Sequence, residues 1–387
     1  MTDLDLPARF RFGVAMAGFQ AEGGYNGRGQ PANNWLWWEA QRRAAPVAAS
    51  PGFWHGYEHH LDAAVAAGCN AFGVTVEWAR CEPVDGTVDQ SALDHYARIL
   101  DACHDRKLRP LVVLHHLGHP AWLGVDFWLQ PDAPERFQRW VEIAVERFAG
   151  RASQWLTISA MNRQAIQSYL LGRWPPGRRL DVAATVRALD HMLAAHVLAY
   201  ETLKARQPHG VVAASTSPLS VYELDRLVVD VLLSRSHGIS RHELRPWLLD
   251  RRSRYEQGCP RPRAVERLLR RRVAAAVPLE RALARAVAAV HESPCEQALD
   301  VVALHYAEPV RPGDERLMED TAALARSSEV SRETGLEVWI ADHSTRAAVE
   351  APGARRLSDE AVGTVVAARR AGVPVSGYFT SAPVGAI

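Results

Sequence analysis

Short apolar segments recur along the chain, each closing on small or polar residues: Phe10–Ala17, Ala71–Trp78, Arg109–His116, Gln154–Met161, Gly210–Ser217, Leu299–Tyr306, Leu336–His343 and Val375–Ala382. Six of the seven intervals between them carry apolar residues every three or four positions, as in Ser91–Arg106 and Pro134–Phe148. That spacing puts one apolar stripe on a helix. Strand–helix alternation of this kind implies parallel strands joined by crossover helices. Eight rounds of it predict one α/β domain over residues 1–387, a (β/α)8 TIM barrel. No linker-like or low-complexity stretch divides the chain. In a barrel of this type chemistry gathers at the C-terminal strand ends. His116, His305, Asp342 and His343 all fall there.

Composition narrows the functional classes. A net charge of +1 gives no general attraction to nucleic acid or membrane. The run Arg270–Arg272 stands alone, without interleaved aromatics, and reads as a solvated helix face. Lysine occurs only at 107 and 204, which leaves few candidates for Schiff-base chemistry. The cysteines at 69, 81, 103, 259 and 295 are odd in number and form no C-x-x-C, so neither a disulfide framework nor a zinc site is indicated. The start, Met1-Thr2-Asp3-Leu4-Asp5, is acidic and lacks a signal-like apolar core, and no run reaches transmembrane length. A cytoplasmic protein with reduced thiols is expected, with no cofactor and no metal.

Several motifs fit one pattern. Phe12-Gly13-Val14-Ala15-Met16-Ala17-Gly18-Phe19-Gln20-Ala21-Glu22-Gly23 opens the chain, and Gly73-Val74-Thr75-Val76-Glu77-Trp78-Ala79-Arg80-Cys81-Glu82-Pro83 and His116-Leu117-Gly118-His119-Pro120 follow the second and third apolar segments. Gln154-Trp155-Leu156-Thr157-Ile158-Ser159-Ala160-Met161-Asn162 leads to Tyr169-Leu170-Leu171-Gly172-Arg173-Trp174-Pro175-Pro176-Gly177. Val338-Trp339-Ile340-Ala341-Asp342-His343-Ser344 and Gly377-Tyr378-Phe379-Thr380-Ser381-Ala382-Pro383 come last. Together these resemble glycoside hydrolase family 1, the β-glucosidase family, almost from end to end.

The resemblance implies a site and shows it damaged. Ala160 stands where the family has its acid/base Glu, Ser159 where it has Asn and Met161 where it has Pro. Asp342 stands for the nucleophilic Glu, Gly73 for the Arg that contacts it, and Ala307 for the Tyr that hydrogen-bonds it. His305 replaces an Asn beside Tyr306, and Leu117 replaces a Trp. Gln20, His116 and Trp78 are kept. The family's downstream sugar-gripping motif and eighth barrel helix find no counterpart before Ile387. That absence would leave the outer side of Val375–Phe379 uncovered and favour a homo-oligomer.

Retaining glycosidases need two carboxyl groups roughly 5–5.5 Å apart. Ala160 cannot exchange a proton, and Asp342 is one methylene shorter than Glu. Three readings follow. The first is a non-hydrolytic enzyme repurposed from the scaffold, working by acid–base chemistry on a small molecule (cyclisation, isomerisation, elimination or hydration) in bacterial natural-product biosynthesis. The second is a divergent β-glycosidase with a displaced acid, for which Glu77 and Glu308 are the local candidates. The third is a non-catalytic binding protein. The expected catalytic groups are Asp342, His305 and His343. Gln20, His116, Trp78, Ser159 and Tyr306 are expected to hold substrate. Burial should raise the Asp342 carboxyl towards neutral pH, and a nearby imidazolium should oppose that.

Overall fold

The computed structural model describes residues 9–16, 18–41, 50, 52–219, 221–258, 279–307, 330–344, 365–366, 369–370 and 372–381, with backbone alone for Leu279, Glu280, Tyr306, Ala307, His343, Ser344 and Ser381. The strands are β1 (Arg11–Ala15), β2 (Ala71–Thr75), β3 (Arg109–Val113), β4 (Gln154–Leu156), β5 (Val211–Ala213), β6 (Ser215–Thr216), β7 (Val301–Ala307), β8 (Glu337–Ser344) and β9 (Val375–Ser381). All pairings are parallel, in the order β5-β4-β3-β2-β1-β9-β8-β7-β6. The segment Gly210–Ser217 is interrupted at Ala214. Its first part pairs with β4 and its second with β7, so one broken strand closes a (β/α)8 barrel.

Ten of the described helices are α1 (Gly18–Glu22), α2 (Leu36–Ala40), α3 (Phe53–Ala66), α4 (Trp78–Cys81), α5 (Gln90–Asp105), α6 (Ala133–Phe148), α7 (Met161–Ala165), α8 (Val182–Arg206), α9 (Arg226–Leu233) and α10 (Leu244–Gly258). The Asp89 carboxylate caps α5 by accepting from the backbone N–H of Ser91 and Ala92, and Pro134 sits in the first turn of α6. Helix α8 is long and apolar enough to cross a membrane by length and composition, but 72% of its apolar window is buried inside the protein. It is therefore a core helix, packed against α6.

Two apolar layers follow from strand alternation. Leu111, Val113, Leu156, Ala213, Val301, Ala303, Trp339, Ala341 and Phe379 fill the barrel interior. Their neighbours Val112, Trp155, Val302, Val338 and Tyr378 face the helices. Trp339 lies across β9, and a Cβ at Gly377 would meet its ring at 2.8 Å. Gly73 is equally constrained, because a Cβ there would come within 3.0 Å of the Ala15 backbone.

The expected eighth helix would follow Ser381 and lies outside the described residues. Its premise for an oligomer does not hold where it can be examined. Val375 and Tyr378, on the outer side of β9, are 0% exposed, and Tyr378 stacks on Phe12 at 6.1 Å between ring centres.

Candidate active site

The C-terminal rim brings together four side chains from four elements. His116 follows β3. Strict alternation from Leu111 and Val113 would turn His115 inward instead, but the chain leaves the strand after Val113. His115 is packed outward against Trp128, Phe137 and His119. The next residue, Leu117, takes a left-handed conformation at φ 67°. Its carbonyl accepts from Asn34 Nδ2 and Trp35 Nε1, both at 3.3 Å, which holds the turn and with it His116.

Asp342 is delivered by a bulge. Leu304 of β7 pairs with Ile340, yet His305 pairs with Asp342, so Ala341 is an extra residue in β8. Trp339 and Ala341 both belong to the interior layer. Simple alternation would then send Asp342 outward. The inserted residue turns it back beside His305, which alternation from Val301 and Ala303 places inward.

The resulting contacts are short. His305 Nδ1 stands 3.2 Å from Asp342 Oδ2, and His116 Nε2 stands 3.7 Å from the same oxygen. The His305 contact is bent, since Nδ1 meets no partner in hydrogen-bond geometry. The two imidazoles lie 6.4 Å apart between centres. Arg163, from α7, donates from Nη1 to His305 Nε2 at 2.8 Å and lies over the Trp174 ring at 5.6 Å. Trp174 continues into Trp35 and Phe19, an aromatic wall beside the cluster.

Burial alone would raise the Asp342 carboxyl. The imidazoles of His305 and His116 outweigh it and hold the group well below the ordinary carboxylate value. Asp342 is thus ionised at neutral pH, which corrects the expectation of a carboxyl tuned upward. Burial lowers His305, Asp342 opposes that, and Arg163 and His116 add to the lowering, so the ring is neutral near pH 7. Ligand atoms of His116, His305 and Asp342 lie within 4.8 Å of one another, a spacing that fits a metal ion geometrically. These three residues are far apart along the chain, and no ligand spacing in it signals the grouping.

Ala160, the vacated acid position, is 1% exposed and caps α7 at φ 49°, ψ 43°. That left-handed conformation costs a non-glycine residue about 1 kcal/mol. It is held by Ala160 N donating to Ser215 Oγ at 2.8 Å and by Asn162, whose side-chain amide donates to the carbonyls of Ser217 and Leu224.

The other expected residues divide. Trp78 is not in the cavity. Trp78 opens α4 and lies in the outer layer with Phe72, Val74 and Val76, packed against Trp140, Phe127, Phe137 and Trp122, its Nε1 donating to Glu82 at 2.7 Å. Ser159 is buried with its Oγ 3.4 Å from Ser215 Oγ, a strand-end contact rather than a cavity group. Gln20 is exposed on α1. Tyr306 and His343 pair across β7 and β8, and their side chains lie outside the description. Glu77 is 2% exposed and accepts from Phe19 N at 2.9 Å. Burial, reinforced by Glu22, pushes it up to about 8. Glu308 lies outside the described residues. Arg163 and Asn162 were missed. The one available signal was that Arg163 follows Ala160 by three residues, on the same face of a helix.

The profile of glycosyl hydrolase family 1 matches residues 2–251. Similar curated proteins include a 6-phospho-beta-galactosidase 1 of Streptococcus pneumoniae, 27% identical over 237 residues, covering 60% of this chain and 50% of that protein. A 6-phospho-beta-galactosidase of Clostridium acetobutylicum is 27% identical over 203 residues, 52% of this chain and 43% of the relative. This chain therefore spans about half the length of the curated relatives it matches. Among solved structures, the family 1 β-glucosidase from Thermotoga maritima superposes with a TM-score of 0.70 at 18% identity, covering 97% of this chain and 89% of the other. The barrel, the matched segment and the rim geometry agree: the chain belongs to glycosyl hydrolase family 1.

Proposed function

We propose that this protein is a non-hydrolytic enzyme on a glycosidase scaffold, in which Asp342 acts as a general base on a small molecule. The observation that carries this reading is the cluster's single carboxylate, ionised beside two imidazoles, in a chain that has Ala160 at the position of the family's proton donor. Glycoside cleavage by retention needs a carboxylic acid as well as a carboxylate. An ionised base without a paired acid suits reactions that begin by removing a proton, such as isomerisation or elimination, better than acid-initiated hydration. His305 and His116 flank the carboxylate, and the Trp174–Trp35 wall offers an apolar face for a ring.

The relatives are named for a phosphorylated galactoside, which sets the competing reading. Chromogenic aryl β-glucosides, β-galactosides and 6-phospho-β-galactosides are the most permissive test, because a good leaving group needs little protonation. No turnover above background is expected. Turnover that disappears in Asp342→Asn would instead assign a divergent glycosidase with Asp342 as nucleophile.

A further inference from the structure

Two histidines and a carboxylate on a barrel rim are a recognised ligand set for divalent transition metals, and the spacing of His116, His305 and Asp342 permits one. Arg163 bears on whether they can use it. A guanidinium has only N–H donors and stays charged throughout the accessible pH range. Its Nη1 is 2.8 Å from His305 Nε2. That nitrogen must therefore present its lone pair, which leaves the ring proton on Nδ1, the atom 3.2 Å from Asp342 Oδ2. A metal bound at Nδ1 would need the opposite arrangement, with Nε2 carrying the proton and donating to an acceptor.

We propose that Arg163 is a positioning residue that locks His305 as its Nδ1–H tautomer, so that the ring proton lies on the side of Asp342 and that nitrogen is closed to metal ions. The groups that face His305 come from three elements: Asp342 on β8, His116 after β3 and Arg163 on α7. The guanidinium also opposes a second proton on the ring, since an imidazolium would have to turn an N–H towards a cation. His305 is thereby excluded as a proton donor through Nε2, and the negative charge of the rim stays on Asp342. Trp174 beneath the guanidinium restricts where Arg163 can lie.

This inference deepens the general-base reading, but its test does not depend on turnover, so each can fail alone. In the 15N-labelled full chain, long-range proton–nitrogen correlations report which ring nitrogen carries the proton, with His305 assigned by the signals lost in His305→Gln. The wild-type protein should show the Nδ1–H form around neutral pH, and added Zn2+ should leave the His116 and His305 signals in place. In Arg163→Met the Nε2–H form should appear and the protonation midpoint of His305 should rise by about one unit. An Nε2–H ring in the wild type, stoichiometric Zn2+ binding that shifts both histidines, or a folded Arg163→Met with unchanged tautomer and midpoint would each overturn the proposal. The wild-type measurement decides the matter if the variant does not fold.

Discussion

Two buried carboxyl groups, one in each half of the barrel, show opposite electrostatics. Glu77, at the end of β2, is 2% exposed and is pushed up to about 8. Asp342, on β8, is 7% exposed and is held well below the ordinary carboxylate value. Burial is nearly the same, so burial does not decide the charge; the partners do. Glu77 has a second carboxylate, Glu22, in its neighbourhood, and one backbone N–H to accept from. Asp342 has two imidazoles. The first half thus keeps a protonated carboxyl built into the β1–α1 turn, and the second supplies the charge. Residues 2–251 carry the family match, whereas His305 and Asp342 lie beyond it. The site is assembled across that seam, with His116 and Arg163 from one side and His305 and Asp342 from the other.

The sharpest way to break this contrast is Asp342→Asn, which is nearly isosteric and removes only the charge. On the native substrate it should lower turnover by roughly a hundredfold or more, the scale of one general base. Full activity in that variant, with His305→Ala inactive, would move the chemistry to an imidazole.

A second test addresses Glu77 through stability. Its folded value of about 8 lies above the value of 4.5 expected when unfolded, so folding favours the protonated form. That contribution is fully present below pH 4.5 and is lost as pH rises through 8. Glu77→Gln keeps a neutral acceptor for Phe19 N, so its melting temperature should match the wild type in acid, exceed it by a margin that grows between pH 4.5 and about 8, and keep that margin above. A difference that does not vary with pH would mean that Glu77 is ionised in the fold and that the contrast with Asp342 is false.

The smallest expected effect is none. Restoring the missing acid with Ala160→Glu should not produce hydrolysis of aryl β-glycosides, because Asp342 is shorter than Glu and a displacement of roughly 1 Å costs on the order of a hundredfold. Gly73, where the family pattern has an Arg, supplies no side chain to orient the carboxylate. Rescue by this single substitution would show that the two halves differ only by one lost side chain.

Much of this was legible in the chain. Strand–helix alternation gave the barrel, and the helix bounds Gln90–Asp105 and Ala133–Phe148 fall one residue from those expected. Motif positions singled out His116, His305, Asp342 and the empty position 160, because strand ends and their flanking residues are local features of sequence. What the sequence could not settle were the relations between strands. Period-two alternation misassigns Asp342 unless the bulge at Ala341 is known, and a bulge is defined by pairing with a strand some thirty residues away. Trp78 reads as a substrate residue only through the family resemblance, and it packs in the same outer layer as Phe72, Val74 and Val76. The charge on Asp342 depends on His116, distant in sequence and 3.7 Å away in space. Arg163, one arginine among many, acquires meaning only from the 2.8 Å that separates it from His305. Composition and periodicity determine which faces are buried, since those follow from each segment alone. Protonation and tautomer are set by interactions that fall off over a few ångströms, and only the closed barrel brings those groups within that range.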